Sequence, residues 1–333
     1  MSAIFQKIGV VGAGSWGTAL ALLLERNGCS VTLWGHDAEA LKRLEEHGEN
    51  RAYLPGVPLP KTIHLTPSLS ALADSELLLL VTPSSAMREV ASRLSTITLR
   101  ADAVLLSCTK GVERGSGLRM SQILEETLPG HPLAVLSGPS HAEEVARLAP
   151  TAVVLGCANP ELLGPLQSVF CNTTFRAYTS GDITGIELGG ALKNVFALAA
   201  GVSDGLCLGD NTKAALVTRS LAELVRLGGA LGGKPETFQG LSGIGDLMVT
   251  CFSKHSRNRA VGERLGKGES LGQIVSSMNM IAEGVPTTYS AHECARRAGI
   301  DTPIIDHVRL ILDGHLSPSE AMSALLARDP RPE

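Results

Sequence analysis

Two stretches in the second half of the chain carry residue types that could move a proton and bind an anion. Lys193 lies in ALKN, residues 191–194, where the neighbouring side chains are mostly small or apolar and the pattern is helical. Apolar surroundings disfavour the ammonium form and lower the pKa of a lysine towards the range useful for proton transfer. Lys193 is therefore a candidate catalytic residue, although a helix lysine that extends to water is the alternative.

The second stretch is SRNR, residues 256–259. Ser256 is typical of a helix N-cap, and the pattern predicts a helix that runs from Arg257 to about Leu265. The helix dipole opposes an arginine in the first turn unless an anion lies there. Backbone N–H groups together with Ser256, Arg257 and Asn258 would then form a phosphate site.

Asp246 is a third candidate, in the glycine-rich GIGDL at residues 243–247. A carboxylate in such a turn could orient a hydroxyl group of a substrate. The alternative is a structural role as the N-cap of a short helix at 247–251.

The element that must position this chemistry begins with the glycine loop G-x-G-x-x-G after an apolar run near the N-terminus. Gly12 would allow the turn out of a strand, Gly14 would let a pyrophosphate reach the main chain, and Gly17 would let the next helix pack closely. A helix at 16–27 and a strand at 30–34 complete a βαβ unit. The context predicts dinucleotide binding at the helix N-terminus, whereas a glycine-rich turn without a ligand is the alternative.

Cofactor choice is usually made about 20 residues beyond such a loop, where this chain has His36 and Asp37. Asp37 could accept a hydrogen bond from a ribose 2′-hydroxyl, which favours NAD. His36, if protonated, could lie beside a 2′-phosphate, which favours NADP. Either residue could also be merely solvated in the turn.

Two later strands are expected to end beside the same ligand, because ligands lie beyond the carboxyl ends of strands in open α/β sheets. The strand at 103–108 leads to Lys110, which is a candidate active-site cation or a solvated loop residue. The strand at 133–136 leads to Gly138 and Ser140, which are small enough to approach a polar ligand.

The length and the order of patterns predict two domains. We expect a Rossmann-like α/β domain with a mostly parallel sheet at 1–182, followed by an all-helical domain at 183–333. A hydrophobic fraction of 44% is enough for a large core in each.

Composition excludes several classes of function. With 29 basic and 33 acidic residues and 3% aromatic residues, nothing indicates a nucleic-acid surface. The wholly apolar runs are strand-sized, far below the roughly 20 residues that cross a bilayer, so we expect no membrane insertion. The seven cysteines are scattered and lack C-x-x-C spacing, which favours reduced thiols in the cytoplasm and no metal site.

Taken together, six motifs resemble bacterial NAD(P)-dependent glycerol-3-phosphate dehydrogenases. They span almost the whole chain in the family's order: GAGSWGTA at 12–19, CTKG at 108–111, SGPS at 137–140, ALKN at 191–194, GIGDL at 243–247 and SRNR at 256–259. The resemblance implies a Rossmann-like domain, a helical domain, and reduction of dihydroxyacetone phosphate to sn-glycerol 3-phosphate for phospholipid synthesis. It also implies NADP(H) or NAD(H) as the cofactor, and we expect a cytoplasmic enzyme and a homodimer.

The resemblance also assigns individual positions. It implies Lys193 as the catalytic acid or base. The implied cofactor contacts, beyond Gly12, Gly14 and Gly17 of the glycine loop, are Ser15, Trp16, His36, Lys110, Ala142, Arg257, Ile281 and Glu283. The implied substrate contacts are Lys110, Gly138, Ser140, Lys193, Asp246, Ser256, Arg257 and Asn258.

Two positions depart from the family pattern, and two rival functions stay open. The family commonly has arginine where this chain has His36, which leaves the choice between NADPH and NADH open, and Ile281 stands where valine is usual. One rival is a dehydrogenase of the same architecture that acts on a hydroxy acid. The other is a nucleotide-sensing protein that binds NAD(H) without turnover, which would not need Lys193 and Asp246 together.

Overall fold

The computed structural model describes residues 5–278 and 280–328. The chain divides into two compact units. The sheet unit comprises the chain up to Lys110 together with Leu118–Glu187, and the helical unit comprises Gly111–Gly117 and the chain from Leu188 onward. The predicted boundary at 182/183 did not include the short segment Gly111–Gly117, which packs with the helices.

The sheet unit contains one sheet of eight strands in the order β3-β2-β1-β4-β5-β6-β7-β8. The strands are β1 (Lys7–Val11), β2 (Ser30–Trp34), β3 (His64–Thr66), β4 (Leu77–Leu80), β5 (Val104–Ser107), β6 (Leu133–Ser137), β7 (Thr151–Cys157) and β8 (Phe175–Ser180). All neighbouring strands are parallel except β6 and β7. The strand order reverses at β1, which pairs with β2 on one side and β4 on the other, so a ligand crevice is expected there.

Helices cover both faces of this sheet. They are α1 (Ser15–Arg26), α2 (Ala38–His47), α3 (Met87–Leu94), α4 (Met120–Thr127), α5 (Ala142–Ala146) and α6 (Pro160–Phe170). Leu20 of α1 and Leu166 of α6 belong to the core on one face, whereas Met87 of α3 and Ile123 of α4 belong to the core on the other. Because both faces are covered, a central strand such as β4 can consist of four fully buried leucines.

The helical unit is built from nine α-helices in the part of the chain that the structure describes. They are α7 (Ile183–Gly205), α8 (Gly209–Ala230), α9 (Pro235–Phe238), α10 (Asp246–Phe252), α11 (Arg257–Gly266), α12 (Leu271–Ser276), α13 (Gly284–Ala298), α14 (Pro303–Leu312) and α15 (Pro318–Leu326). A π-helical turn at Leu241–Gly245 precedes α10. The predicted fold class, a mostly parallel Rossmann-like sheet followed by helices, is confirmed.

The helix α7 is the centre of the helical unit. By length and composition it could cross a membrane, but 89% of its most apolar window is buried inside the protein, which is typical of a core helix. Val195, Phe196 and Leu198 are among its fully buried side chains.

Glycines allow α7 and α11 to touch backbone to backbone. A Cβ atom at Gly201 of α7 would lie 2.0 Å from the carbonyl oxygen of Arg259, and one at Gly262 of α11 would lie 2.0 Å from that of Leu198. No side chain fits between the two helices at these points. This contact, the glycine seam, sets the separation of the helix that carries Lys193 from the helix that follows Ser256.

Candidate active site

The glycine loop of the sheet unit has the backbone geometry that its spacing predicts. Gly12 has a φ of +126°, a conformation that favours glycine, and a Cβ atom there would lie 2.6 Å from the carbonyl oxygen of Val81. A Cβ atom at Gly17 would lie 1.8 Å from the carbonyl oxygen of Gly12. The turn out of β1 and the close packing of α1 therefore both require glycine.

Gly14 differs from its two neighbours because no protein atom fills the space beside it. A Cβ atom there would meet nothing within 4 Å, and no side chain caps the N-terminus of α1. The first-turn N–H groups of α1 are thus accessible from the side of Gly14. Trp16 lies in the same turn, and its buried Nε1 has no hydrogen-bond partner among the described residues. These donors fit the pyrophosphate of a dinucleotide cofactor.

The two residues that bear on cofactor choice have different roles in the structure. Asp37 is the N-cap of α2, and its carboxylate accepts a hydrogen bond from the N–H of Ala40 at 3.0 Å. That bond lowers the pKa of Asp37. His36 is exposed beside it. Asp37 therefore has a structural role as a helix cap, whereas His36 presents its ring to solvent.

Three predicted substrate residues of the sheet unit meet at a single carbonyl group. The Nζ atom of Lys110 and the hydroxyl of Ser140 each donate a hydrogen bond to the carbonyl oxygen of Gly138 at 2.9 Å. Gly138 has a φ of +127°, so the turn after β6 favours glycine. Ala142, a predicted cofactor contact, follows as the first residue of α5. The structure therefore groups residues from the ends of β5 and β6.

The helical unit contains a buried ion pair that involves Lys193. Its Nζ atom donates hydrogen bonds to Oδ1 of Asp246 at 2.8 Å and to Oγ1 of Thr250 at 2.6 Å. The exposed fractions of the three residues are 6%, 1% and 3%. Thr250 donates its own hydroxyl proton to the carbonyl oxygen of Asp246 at 2.6 Å, which leaves its oxygen as an acceptor for the lysine.

This arrangement decides between the alternatives for Lys193 and Asp246. The interpretation of Lys193 as a lysine that extends to water is wrong, because α7 lies in the core. Asp246 is the first residue of α10 and Gly245 is its N-cap, so the N-cap interpretation is also wrong. The carboxylate stabilises the ammonium form of Lys193 against the cost of burial. The sequence prediction of an apolar environment did not include this carboxylate.

A pair of amides holds three helices together next to this ion pair. Asn258 of α11 donates from Nδ2 to Oδ1 of Asn194 on α7 at 2.9 Å, and its own Oδ1 accepts from the N–H of Gly284 on α13 at 2.8 Å. A Cβ atom at Gly284 would lie 2.5 Å from the carbonyl oxygen of Asn194. Both ends of the Asn258 amide are therefore engaged within the protein, which fixes its orientation.

The N-terminus of α11 confirms the predicted cap. The hydroxyl of Ser256 accepts a hydrogen bond from the N–H of Arg259 at 3.2 Å, and the helix extends to Gly266. Arg257 lies exposed in the first turn, with Nη1 at 3.2 Å from the carbonyl oxygen of Ile281. The structure thus brings together two predicted cofactor contacts, and Glu283 follows at the N-cap of α13.

The predicted site residues fall into two groups, one in each unit. The sheet unit holds Gly12, Gly14, Ser15, Trp16, Gly17, His36, Lys110, Gly138, Ser140 and Ala142, and the helical unit holds Lys193, Asp246, Ser256, Arg257, Asn258, Ile281 and Glu283. Sequence reasoning missed the part played by Thr250. Its signal was the four-residue spacing from Asp246, which places both side chains on one face of a helix.

Family models and individual relatives of known proteins agree on one family for this chain. The model of the NAD-dependent glycerol-3-phosphate dehydrogenase N-terminus matches residues 7–163, and the model of the C-terminus of the same family matches residues 182–323. A glycerol-3-phosphate dehydrogenase [NAD(P)+] of Prosthecochloris aestuarii is 47% identical over 330 residues, which cover 98% of this chain and 99% of the relative. The corresponding protein of Desulfitobacterium hafniense is 46% identical over 327 residues, with coverage of 98% and 93%.

A solved structure agrees with these matches. The crystal structure of glycerol-3-phosphate dehydrogenase from Coxiella burnetii matches with a TM-score of 0.94 and 39% identity, and it covers 97% of this chain and 99% of that one. The resemblance carried by the six motifs is thereby confirmed. The chain belongs to the NAD-dependent glycerol-3-phosphate dehydrogenase family.

Proposed function

We propose that this NAD(P)-dependent oxidoreductase interconverts dihydroxyacetone phosphate and sn-glycerol 3-phosphate with Lys193 as its catalytic acid and base. The observation that carries the proposal is the buried contact of Lys193 with Asp246 and Thr250. The ammonium group of a surface lysine is solvated by water. That of a buried lysine needs protein partners, which here are a carboxylate and a hydroxyl at hydrogen-bond distance. A buried ammonium held this way is suited to donate a proton at a defined point.

When bound, the nicotinamide supplies or accepts the hydride at C2 of the substrate. Lys193 donates a proton to the oxygen that becomes the C2 hydroxyl, so one hydride and one proton convert the ketone to the alcohol. Asp246 keeps the lysine charged until that transfer and stabilises the ammonium when a proton returns from solvent. Thr250 restricts the position of the Nζ atom. The reverse reaction uses the same groups, with Lys193 as the base.

The phosphate of the substrate binds at the N-terminus of α11 in this proposal. Backbone N–H groups of the first turn, the hydroxyl of Ser256 and the guanidinium of Arg257 surround the position that an anion would take. Asn258 spends one N–H and its carbonyl oxygen on α7 and α13. Its amide nitrogen carries a second N–H that suits a phosphate oxygen.

The sheet unit binds the cofactor in this proposal. The N–H groups beside Gly14 bind the pyrophosphate, while Ser15, Trp16 and Ala142 contact the rest of the dinucleotide. His36 and Asp37 act on the adenosine ribose, and which of them dominates decides between NADP(H) and NAD(H). Arg257, Ile281 and Glu283 are further proposed cofactor contacts. Lys110, Gly138 and Ser140 bind the substrate hydroxyl groups.

Three further assignments rest on the family resemblance. We propose that the enzyme supplies glycerol 3-phosphate for glycerophospholipid synthesis, that it works in the cytoplasm, and that it is a homodimer. Nucleic acid is not among its proposed partners.

Replacement of Lys193 by alanine tests the catalytic assignment. We expect kcat with dihydroxyacetone phosphate and NADPH or NADH to fall by about 10² or more, because the proton donor is lost while cofactor binding is not. Initial rates and a fluorescence titration of NADPH measure the two quantities. Added methylamine should restore part of kcat, because a small amine fits the space that the side chain leaves.

Loss of the lysine leaves Asp246 buried without its partner, so the variant also needs a thermal unfolding curve. A folded Lys193→Ala enzyme with near-normal kcat would show that the assignment is wrong. The double variant Lys193→Ala/Asp246→Ala is a matched control, since it removes the unpaired carboxylate and should be equally inactive.

A further inference from the structure

The segment Gly111–Gly117, here called the strap, follows Lys110 directly in the chain and belongs to the helical unit. Val112 is 4% exposed and lies in the core of that unit. Gly111 is also buried, whereas residues 113–117 lie nearer the surface and include two glycines with positive φ, Gly115 and Gly117. It begins one covalent bond after a residue that the proposed function assigns to the substrate.

Side chains of α13 bond to the main chain of the strap. Arg297 donates from Nη1 to the carbonyl oxygen of Ser116 at 2.9 Å and from Nη2 to that of Gly115 at 2.8 Å. Ser290 is buried and donates its hydroxyl to the carbonyl oxygen of Val112 at 3.0 Å. These are three side-chain bonds to backbone carbonyl groups, so they fix the path of the main chain and do not depend on the side chains of the strap.

Packing against α13 adds to these bonds. The guanidinium of Arg114 lies 4.8 Å from the ring centre of Tyr289, a cation–π distance. A Cβ atom at Gly117 would lie 2.9 Å from Sγ of Cys294 on the same helix. Both ends and the middle of the strap thus touch one face of α13.

The other end of α13 is fixed in the candidate active site. Its first residue, Gly284, donates its N–H to Asn258, and Asn258 in turn bonds to Asn194 next to Lys193. One rigid helix of 15 residues therefore starts at the amide pair and ends at the strap. A chain of bonded groups therefore connects Asn194, the residue after Lys193, with Val112, which is two residues after Lys110.

We infer that α13 positions Lys110 for the reaction through the strap, with Arg297 and Ser290 as positioning residues. This inference rests on the proposed function, because it takes Lys110 as a substrate-binding residue. The Nζ atom of Lys110 can act on a substrate hydroxyl only if the main chain at 110–111 is held in place. Arg297 and Ser290 do not touch the substrate; they fix the strap, and the strap fixes the lysine.

A double-mutant cycle of Lys110→Ala and Arg297→Ala tests the inference. We expect Arg297→Ala alone to lower kcat/KM for dihydroxyacetone phosphate by about tenfold, since small misplacements of a positioned group are costly. The dissociation constant of NADPH should not change. In the Lys110→Ala background, Arg297→Ala should have almost no further effect, because the residue through which it acts is already gone.

Arg296→Ala is the matched control. Arg296 is the neighbouring residue on α13, its side chain is 68% exposed, and it reaches Asp306 at 3.5 Å instead of the strap. We expect wild-type kinetics from it. Ser290→Ala is a second test variant and should lose activity in the same non-additive way. Hydrogen exchange gives a readout apart from activity: the strap amides should exchange faster in Arg297→Ala than in Arg296→Ala.

The outcomes separate the inference from the proposed function. A full tenfold loss from Arg297→Ala in the Lys110→Ala background would overturn the inference alone, because additivity means that Arg297 acts elsewhere. Equal kinetics of Arg297→Ala and Arg296→Ala would do the same. Normal kcat/KM in Lys110→Ala would instead overturn the substrate role of Lys110, and the inference with it.

Discussion

The N-termini of α1 and α11 are both proposed as anion sites, but they are built in opposite ways. At α1 the cap is Gly14, no side chain takes part, and two further glycines bring the backbone close. At α11 the cap is the hydroxyl of Ser256, followed by Arg257 and the packed amide of Asn258. The site at α1 is formed by backbone groups next to glycines, and the site at α11 is formed mainly by polar and charged side chains.

The difference predicts how each proposed site would select its ligand. A backbone site recognises a diphosphate by shape, since many N–H groups converge where no side chain intrudes. A side-chain site recognises a single phosphate by charge and by a planar guanidinium fork. The first should therefore be sensitive to added volume and the second to lost charge.

Added volume in the glycine loop should have the largest effect. In Gly17→Ala the new methyl group would lie 1.8 Å from the carbonyl oxygen of Gly12, so α1 must move away from β1. We expect NADPH binding to weaken by at least about 10²-fold and the melting temperature to fall, because both the cofactor site and the core are disturbed. Fluorescence titration and thermal unfolding measure the two effects.

Gly14→Ala is the control that sharpens this result. Its methyl group would meet no protein atom within 4 Å, and its φ of −77° suits alanine. We expect an unchanged melting temperature and weaker cofactor binding, because only the bound diphosphate would use that space. Equal binding of NADPH by Gly14→Ala and wild type would contradict the assignment of the space to a cofactor.

Lost charge at α11 should have the next largest effect. In Arg257→Ala we expect KM for dihydroxyacetone phosphate to rise by about 10 to 100-fold, which corresponds to the loss of a charge-assisted pair. Activity towards dihydroxyacetone, which has no phosphate, should change little. Steady-state kinetics with both substrates measure the contrast, and equal losses on both would count against the phosphate site.

A third helix N-terminus extends the comparison, because the protein itself supplies the anion there. Glu223 of α8 is 1% exposed, and its two carboxylate oxygens accept hydrogen bonds from the N–H groups of Ile304 and Ile305 in the first turn of α14, each at 3.0 Å. Burial raises the pKa of Glu223 to about 7, against the opposing effect of those two bonds. This site needs no ligand, so its removal should leave turnover unchanged.

The predicted effect at Glu223 is on stability alone. Its folded-state pKa lies above the unfolded value of 4.5, so the folded protein retains a proton that the unfolded chain releases. The free energy of unfolding should fall as pH rises from about 4.5 to about 7, by at most about 3 kcal/mol from this group. Urea unfolding of wild type and Glu223→Gln across that range measures the effect: the free energy of unfolding of the variant minus that of wild type should rise with pH. A difference that falls with pH would refute the sign.

Local patterns were enough to predict much of this molecule. The G-x-G-x-x-G spacing predicts the conformation of Gly12 and the packing of Gly17, because both depend on residues within a few positions. The cap at Ser256 is local for the same reason. The order of strands and helices gave the fold class, since both faces of a parallel sheet need cover.

The parts that the sequence did not predict depend on distant residues. Lys193 and Asp246 are 53 positions apart, and Ser290 and Val112 are 178 positions apart. No periodicity relates such pairs. The role of Thr250 was missed for a related reason. Its spacing from Asp246 places both side chains on one helix face, but the sequence does not show that Lys193 contacts both of them.

The glycine seam between α7 and α11 has a consequence for how the active site can evolve. Because Gly201 and Gly262 press against the opposite backbone, the spacing between the two helices is already at its minimum, and a single methyl group would widen it. A wider spacing would shift Lys193 relative to the turn at Ser256, which is the proposed phosphate site, so room for a bulkier substrate cannot be gained there. A change in substrate specificity must therefore come from other side chains of the site, while the spacing between α7 and α11 stays the same.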